Sequence, residues 1–318
     1  MWFRGAADSR RRVDLAFTPP DMTSSFDFSA ASVAELARAD AHRALQEDVG
    51  SGDLTAALVP AGKRAAARVI TRENAVLCGA PWVEAVLRQL EPQARITWHR
   101  TEGQHCEPGQ AVLSIEGQAR ALLSAERTAL NFLQMLSAVA TRTAQYVKAV
   151  QGTRARIVDT RKTLPGLRLA QKYAVGVGGG TNHRIGLYDA ILIKENHIAA
   201  AGGVAAALKA GGEGAPRAKF VQMEVETLDQ LDEALRHGAR MLLLDNMDLP
   251  TLHEAVRRNQ AAGDARAVLE ISGGVTLDGL RALAETGVDR ISVGALTKDV
   301  KAIDFSMRFA DAQAEAQA

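Results

Sequence analysis

The chain has 318 residues, enough for two domains or for one barrel with an accessory module. Its 38 Lys and Arg offset 37 Asp and Glu to leave a net charge of +1, which excludes a global basic field for nucleic acid and makes any anion site local. With 47% hydrophobic residues and no apolar run of roughly 18, the composition is that of a globular protein without a membrane span.

The opening stretch, MWFRGAADSRRR, has the positive charge of a secretory leader but not its apolar segment, because Asp14, Pro19, Pro20 and Asp21 intervene. Residues 1–28 are therefore expected to be a mobile tail, with Met22 an alternative start. Helical spacing of Val33, Leu36, Ala37 and Leu45 follows, and EDVGSGDLT (47–55) breaks it. Short strand-like runs come next, at 66–71, 75–78, 96–98 and 111–115, with one helix over 81–90 among them. Cys78 and Cys106 lack metal-site spacing, and a chain this long needs no disulfide framework, so reduced thiols in a cytoplasm are expected. A long helix over about 124–150, with Leu130, Leu133, Leu136, Val139 and Ala140 as its apolar stripe, joins this module to the second half.

From Arg156 the pattern becomes a regular alternation. Apolar runs at 157–160, 190–193, 220–225, 241–244, 267–271 and 291–293 each lead into a helical stretch, which describes a parallel sheet covered by helices. Six successive strand–helix units, all obliged to cross over right-handedly, favour a closed or nearly closed α/β barrel, and a doubly wound sheet is the alternative because strand order is not legible. Such a barrel carries its active site at the C-terminal strand ends. Those ends read Asp159-Thr160-Arg161-Lys162, Lys194-Glu195-Asn196-His197, Glu224-Val225-Glu226, Asp245-Asn246, Ser272-Gly273-Gly274 and Gly294-Ala295.

Charge divides along this rim. Arg154 through Lys194 contains eight Lys or Arg against two acids, Asp159 and Asp189, whereas Glu224 and Asp245 come later. A multiply anionic ligand that also brings a divalent metal suits the division. The glycines of 272–274 and of 293–295 allow close backbone approach to a phosphate, before helices expected to start near Thr276 and Lys298.

Blander readings compete. Arg161 and Lys162 alone would be solvated loop residues, His183-Arg184 an exposed turn, and His197 a structural hydrogen-bonding group. Gly176–Gly180 is no dinucleotide fingerprint, since it follows a helix and position 181 is Thr. Arg127 stands out: in the first turn of the long helix a cation opposes the macrodipole by roughly 0.3–1 kcal/mol, which a ligand contact explains better than exposure.

Taken together, EDVGSGDLT, ERTALNFL (126–133), DTRKTLPGLR, GGGTNHRIGLYD (178–189), IKENH, EVE, LLDN, SGG and SVGALT resemble the quinolinate phosphoribosyltransferase family, in order from about residue 40 to 309. The resemblance implies an N-terminal α/β sandwich domain (29–138), an incomplete, open TIM-like α/β barrel (139–309), a C-terminal tail (310–318) and at least a homodimer. It also implies transfer of phosphoribose from phosphoribosyl pyrophosphate to quinolinate with loss of CO2, as in NAD biosynthesis. Arg161, Lys162, His183, Arg184 and Lys194 match quinolinate contacts, with Thr160 beside them. Arg127 matches an arginine that completes the neighbouring subunit's site. Glu224 and Asp245 match carboxylates serving the ribose and Mg²⁺, and with Lys162 they form the expected catalytic set. Ser272, Gly273 and Gly294 match a 5-phosphate cradle flanked by Gly274, Val293 and Ala295. Neither nucleic acid nor membrane is an expected partner. A relative using nicotinate without decarboxylation, a barrel associated with molybdenum uptake and a non-catalytic metabolite sensor are the alternatives.

Overall fold

The structure, a computed structural model, describes residues 26–214 and 218–309. The expected tails at 1–25 and 310–318 lie outside the described residues. Within the predicted N-terminal tail, Phe26 and Phe28 already pack on the core, edge to face at 4.8 Å. Ser29 then caps α1 (Ala30–Asp48) by accepting the Ser32 N–H.

The first unit is an antiparallel sheet with helices against it. Its strands are β1 (Arg64–Thr71), β3 (Arg95–Trp98) and β5 (Ala111–Gln118), accompanied by the short pair β2 (Ala75–Val76) and β4 (His105–Cys106). Helix α2 (Ala80–Leu90) packs on α1, and the buried Asp40 carboxylate on α1 accepts the Trp82 indole N–H at 2.8 Å. Helix α3 (Ala119–Ala149) spans roughly 46 Å, so one helix can serve both units. It starts five residues earlier than its stripe suggested, because Ala119-Arg120-Ala121 continue the helix directly out of β5.

The second unit is an all-parallel six-stranded sheet. In chain order it comprises β6 (Arg156–Val158), α4 (Arg168–Val177), β7 (Ile191–Ile193), α5 (Glu195–Ala201), α6 (Val204–Gly214), β8 (Val221–Val225), α7 (Leu228–Arg236) and β9 (Met241–Asp245). Then follow α8 (Leu249–Ala261), β10 (Val268–Ser272), α9 (Leu280–Glu285), β11 (Arg290–Ser292) and α10 (Ala295–Lys298). The spatial order is β6-β11-β10-β9-β8-β7. Chain neighbours are sheet neighbours throughout, except at β6 and β7, so there is no reversal of the kind a doubly wound sheet needs. The sheet is a barrel opened along one seam, and a closed barrel is excluded. The seam stays open because the returning chain lies against β6: Thr181 bridges to Val158, giving its N–H to Ile157 O and accepting that of Asp159.

Strand β12 (Phe305–Phe309), the last stretch of the expected barrel domain, pairs antiparallel with β1, Met307 opposite Val69, and so extends the first sheet. Alternating burial of Phe305 and Met307 on the open edge of β1 drives that return. The helices behind the two glycine sites start elsewhere than expected: α9 begins at Leu280 rather than near Thr276, and α10 begins at once at Ala295 and ends at Lys298.

Candidate active site

The site is built outward from a buried ion pair at the end of β6. Asp159 Oδ1 accepts Lys172 Nζ at 2.5 Å and the His183 N–H at 2.8 Å, and Lys172 Nζ also donates to His183 O at 3.2 Å. Neither side chain retains exposed area. Burial raises the Asp159 pKa to about 6 against the pull of Lys172, and burial likewise lowers that of Lys172. The pair therefore serves as an internal anchor between two loops.

Past this anchor the chain emerges at the rim. Arg161 is half-buried, and its Nε is buried without a hydrogen-bond partner among the described residues. Arg184 is buried and gives Nη1 to Ala190 O at 3.3 Å. Burial, and then the charge of Arg161, hold the Arg184 guanidinium below its ordinary pKa, with Asp189 opposing. The two guanidiniums thus share one region. Asp189 accepts the N–H groups of Ile185 and Gly186 at 2.8 and 2.9 Å, which shapes the Arg184 loop. Among the described residues, none of Arg161, Lys162 and Arg184 has a carboxylate within ion-pair distance. A cluster of cations left without anions suits a ligand that supplies them.

His183 is held inside the protein through both ring nitrogens. Its Nδ1 accepts the Arg184 N–H, so the ring proton sits on Nε2, which donates to Gln222 Oε1; both bonds are 2.8 Å. Glu270, itself paired with Arg290 at 2.9 Å, lies 3.5 Å from Nε2. The ring is buried among β8, β10 and β11 residues, with both nitrogens used inside the protein. It shapes the Arg184 loop from behind.

Across the rim, Lys194 Nζ grips both oxygens of Glu224 at 2.9 and 3.1 Å, so unlike Arg161 it is already paired. Burial raises the Glu224 pKa, Lys194 lowers it, and the charges of Asp245 and Glu195 raise it further. Asp245 is half-buried beside Asn246, whose amide donates to it at 3.1 Å. No group of three or more His, Cys, Asp or Glu side chains forms a metal cage among the described residues. Two neighbouring carboxylates fit a Mg²⁺ that takes the rest of its shell from substrate oxygens and water.

The glycine sites have steric reasons. Gly273 has φ +102°, and a Cβ there would lie 2.1 Å from Asn246 Oδ1. Ser272 pairs with Asp245 in the ladder, and Gly274 is exposed at φ +53°. A Cβ on Gly294 would meet Lys162 Cδ at 3.1 Å, Thr160 Oγ1 at 3.7 Å and Lys298 Cε at 3.9 Å. Val293 is buried, its N–H on Val158 O, so it and Ala295 can offer a ligand little beyond backbone. Lys298 escaped the sequence reading, although it stands one turn beyond Gly294. Two more side chains did too: Arg168 and Gln171, which share a face of α4 with Lys172 and bond the rim loops.

Arg127 lies in the third turn of α3, not the first, so the macrodipole conflict disappears. It is exposed and has no ion pair or hydrogen bond among the described residues. A groove beside the 164–167 loop is lined by Asp40, Arg43, Glu47 and Asp48 on α1 and by Thr128 and Asn131 on α3, with Arg43 paired to Asp40. Its acids suit an anion less well than the cations of the rim.

Two family profiles match the chain: "Quinolinate phosphoribosyl transferase, N-terminal domain" over residues 53–137 and the corresponding C-terminal domain over 139–308. The nicotinate-nucleotide pyrophosphorylase (carboxylating) of Mycobacterium leprae is 43% identical over 280 residues, covering 86% of this chain and 97% of that one. The probable enzyme of the same name from Bacillus subtilis is 40% identical over 261 residues, 82% and 89% of the two chains. The solved nicotinate-nucleotide pyrophosphorylase of Francisella tularensis superposes with a TM-score of 0.83 at 42% identity, covering 87% of this chain and 97% of that one.

Proposed function

The chain belongs to the quinolinate phosphoribosyltransferase family, and from that premise we propose how its residues carry out the family's reaction. It is a pentosyltransferase of NAD biosynthesis: phosphoribose moves from phosphoribosyl pyrophosphate to quinolinate, giving nicotinate mononucleotide, pyrophosphate and CO2. The observation that supports the residue assignment is that Arg161, Lys162 and Arg184 have no carboxylate within ion-pair distance among the described residues, at the same strand-end rim that carries Glu224 and Asp245.

Quinolinate carries two adjacent carboxylates. The planar guanidiniums of Arg161 and Arg184 suit them bidentately, and Lys162 adds a point charge toward Gly294. The pyridine nitrogen attacks C1 of the sugar as the bond from C1 to the pyrophosphate oxygen breaks, and no protein nucleophile is needed. Glu224 and Asp245 hold the ribose hydroxyls, and their charge favours the oxocarbenium-like transition state. Burial raises the Glu224 pKa, and the Lys194 ammonium opposes that rise. Gly273, Gly274 and Gly294, with Ser272 and Lys298, present backbone N–H groups, a hydroxyl and an ammonium to the 5-phosphate. Glu224 and Asp245 would hold Mg²⁺ together with substrate oxygens, and the ion would supply neutralisation of the charge on the departing pyrophosphate. The N-ribosylated ring is cationic at nitrogen. The C2–carboxylate bond then breaks, its electron pair stays on C2 beside that charge, and a proton takes the place of CO2.

A second copy of the chain completes the site. Arg127 projects unpaired from α3, and Leu54 and Leu58 are 88% and 84% exposed in the segment that Arg120 ties to the start of that helix. Leu187 and Tyr188 are exposed on the loop that carries Arg184. These two apolar patches suit a two-fold pairing that brings Arg127 of one copy to the rim of the other. No helix among the described residues is long and apolar enough to cross a membrane, and Cys78 and Cys106 are buried and free, in keeping with a cytoplasmic enzyme.

The deciding assay incubates the purified protein with quinolinate, phosphoribosyl pyrophosphate and Mg²⁺. Nicotinate mononucleotide and one equivalent of CO2 are expected; product from nicotinate alone, without CO2, would reassign the acceptor.

A further inference from the structure

We propose that Arg168 is a positioning residue for quinolinate: its guanidinium ties the loop carrying Arg161 to the loop carrying Arg184, and so sets the spacing of the two cations that hold the substrate's carboxylates. The inference rests on the quinolinate assignment above and adds what determines the geometry of that subsite.

The argument starts from the open seam. Elsewhere on the rim, ladder hydrogen bonds fix the distance between neighbouring strand ends, as between Ser272 and Asp245. Strands β6 and β7 do not pair, and beyond the single Thr181–Val158 bridge no backbone ladder among the described residues ties the segment after Asp159 to the one before β7. The two loops that hold quinolinate flank this gap. Arg168, the first residue of α4, donates Nε to Thr163 Oγ1 at 3.1 Å, Nη1 to Ile185 O at 3.0 Å and Nη2 to Arg161 O at 3.4 Å. One planar group thus reaches the backbone of Arg161 and that of the residue after Arg184. One turn along the same helix face, Lys172 joins Asp159 to His183 O deeper in the seam. Together they do the work of the missing ladder.

Helix formation does not account for Arg168. A cation at the first helical residue opposes the dipole, and among the described residues no carboxylate lies within ion-pair distance of it. Its charge is directed at carbonyl and hydroxyl oxygens, and it adds a third positive charge behind Arg161 and Arg184. Lysine could not replace it, because a single ammonium lacks the flat fork that spans three acceptors on two loops.

The test compares Arg168→Lys and Arg168→Ala with the parent enzyme, measuring melting temperature, quinolinate binding by calorimetry and KM for each substrate. The parent's own turnover of quinolinate tests the underlying assignment separately. Arg168→Lys is expected to melt close to the parent, to lose quinolinate affinity by roughly tenfold or more, and to change KM for phosphoribosyl pyrophosphate by less than about twofold. Millimolar guanidinium ion should restore quinolinate binding to Arg168→Ala. Should that variant not fold, Thr163→Ala replaces it, with a smaller loss of the same selectivity. Unchanged quinolinate affinity in Arg168→Lys, or equal weakening of both substrates, overturns the proposal.

Discussion

The imidazole of His183 takes the Arg184 amide on Nδ1 and gives its Nε2 proton to Gln222, so a second proton would have to displace one of these bonds inside the barrel. Burial lowers its pKa, with Glu270 and Gln222 opposing and Arg290 and Lys172 adding to the shift. A histidine whose folded pKa lies below its unfolded value binds its proton more readily when unfolded. Its contribution to stability is therefore complete above about pH 6.5 and is lost as the pH falls toward the folded pKa. NMR titration should show His183 neutral at a pH where exposed histidines are already charged, with Nδ1 unprotonated; an ordinary titration near 6.5 would contradict the buried network. Arg161 differs, its buried Nε having no hydrogen-bond partner among the described residues. Arg161→Ala is expected to raise the quinolinate Kd by roughly tenfold or more while the melting temperature holds, as measured by calorimetry. Arg161 stood out in the sequence as a cation at a strand end, whereas His183 was singled out only after a glycine-rich turn and through the motif GGGTNHRIGLYD. Packing, which neither signal encodes, gives the two side chains different surroundings.

At the scale of elements, the glycine run after α4 has a packing cause. A Cβ on Gly178 would lie 2.4 Å from Ala140 O and 2.7 Å from Thr143 Cβ, both on α3, and one on Gly180 would lie 2.8 Å from Thr143. The glycines let the end of α4 press against the backbone of the long helix. Gly178→Ala forces backbone apart, since the nearest atom is a carbonyl, and should cost about 1–3 kcal/mol of unfolding free energy in urea. Because α4 carries Arg168, Gln171 and Lys172, the same variant should also weaken quinolinate binding. The six parallel strands were legible because short apolar runs bounded by polar rim residues have few other uses. Strands β4 and β12 were not, since a two-residue pair and a terminal strand that returns to an earlier sheet leave no local periodicity to read.

At the scale of the whole molecule, the first and last strands among the described residues share one sheet, β12 pairing with β1, while the barrel between them stays open at one seam. An open seam leaves its flanking loops to side chains, and Arg127, exposed and without an ion pair among the described residues, is the residue proposed to complete the site of another copy. Mixing Arg127→Ala subunits with Lys162→Ala subunits should therefore recover part of the activity, because one of the two sites in each mixed dimer has both residues intact. Activity no higher than the sum of the separate variants, at any mixing ratio, would place Arg127 in its own chain's chemistry. By itself the sequence determined the strand ends, the sign of charge at each, and the kinship carried by motifs such as DTRKTLPGLR, because these depend on local spacing and residue type. Tertiary structure alone decided that the barrel opens between β6 and β7, that His183 turns inward, and that Arg168 bridges the gap. Those outcomes depend on which distant segments come to lie side by side, and no local pattern encodes that.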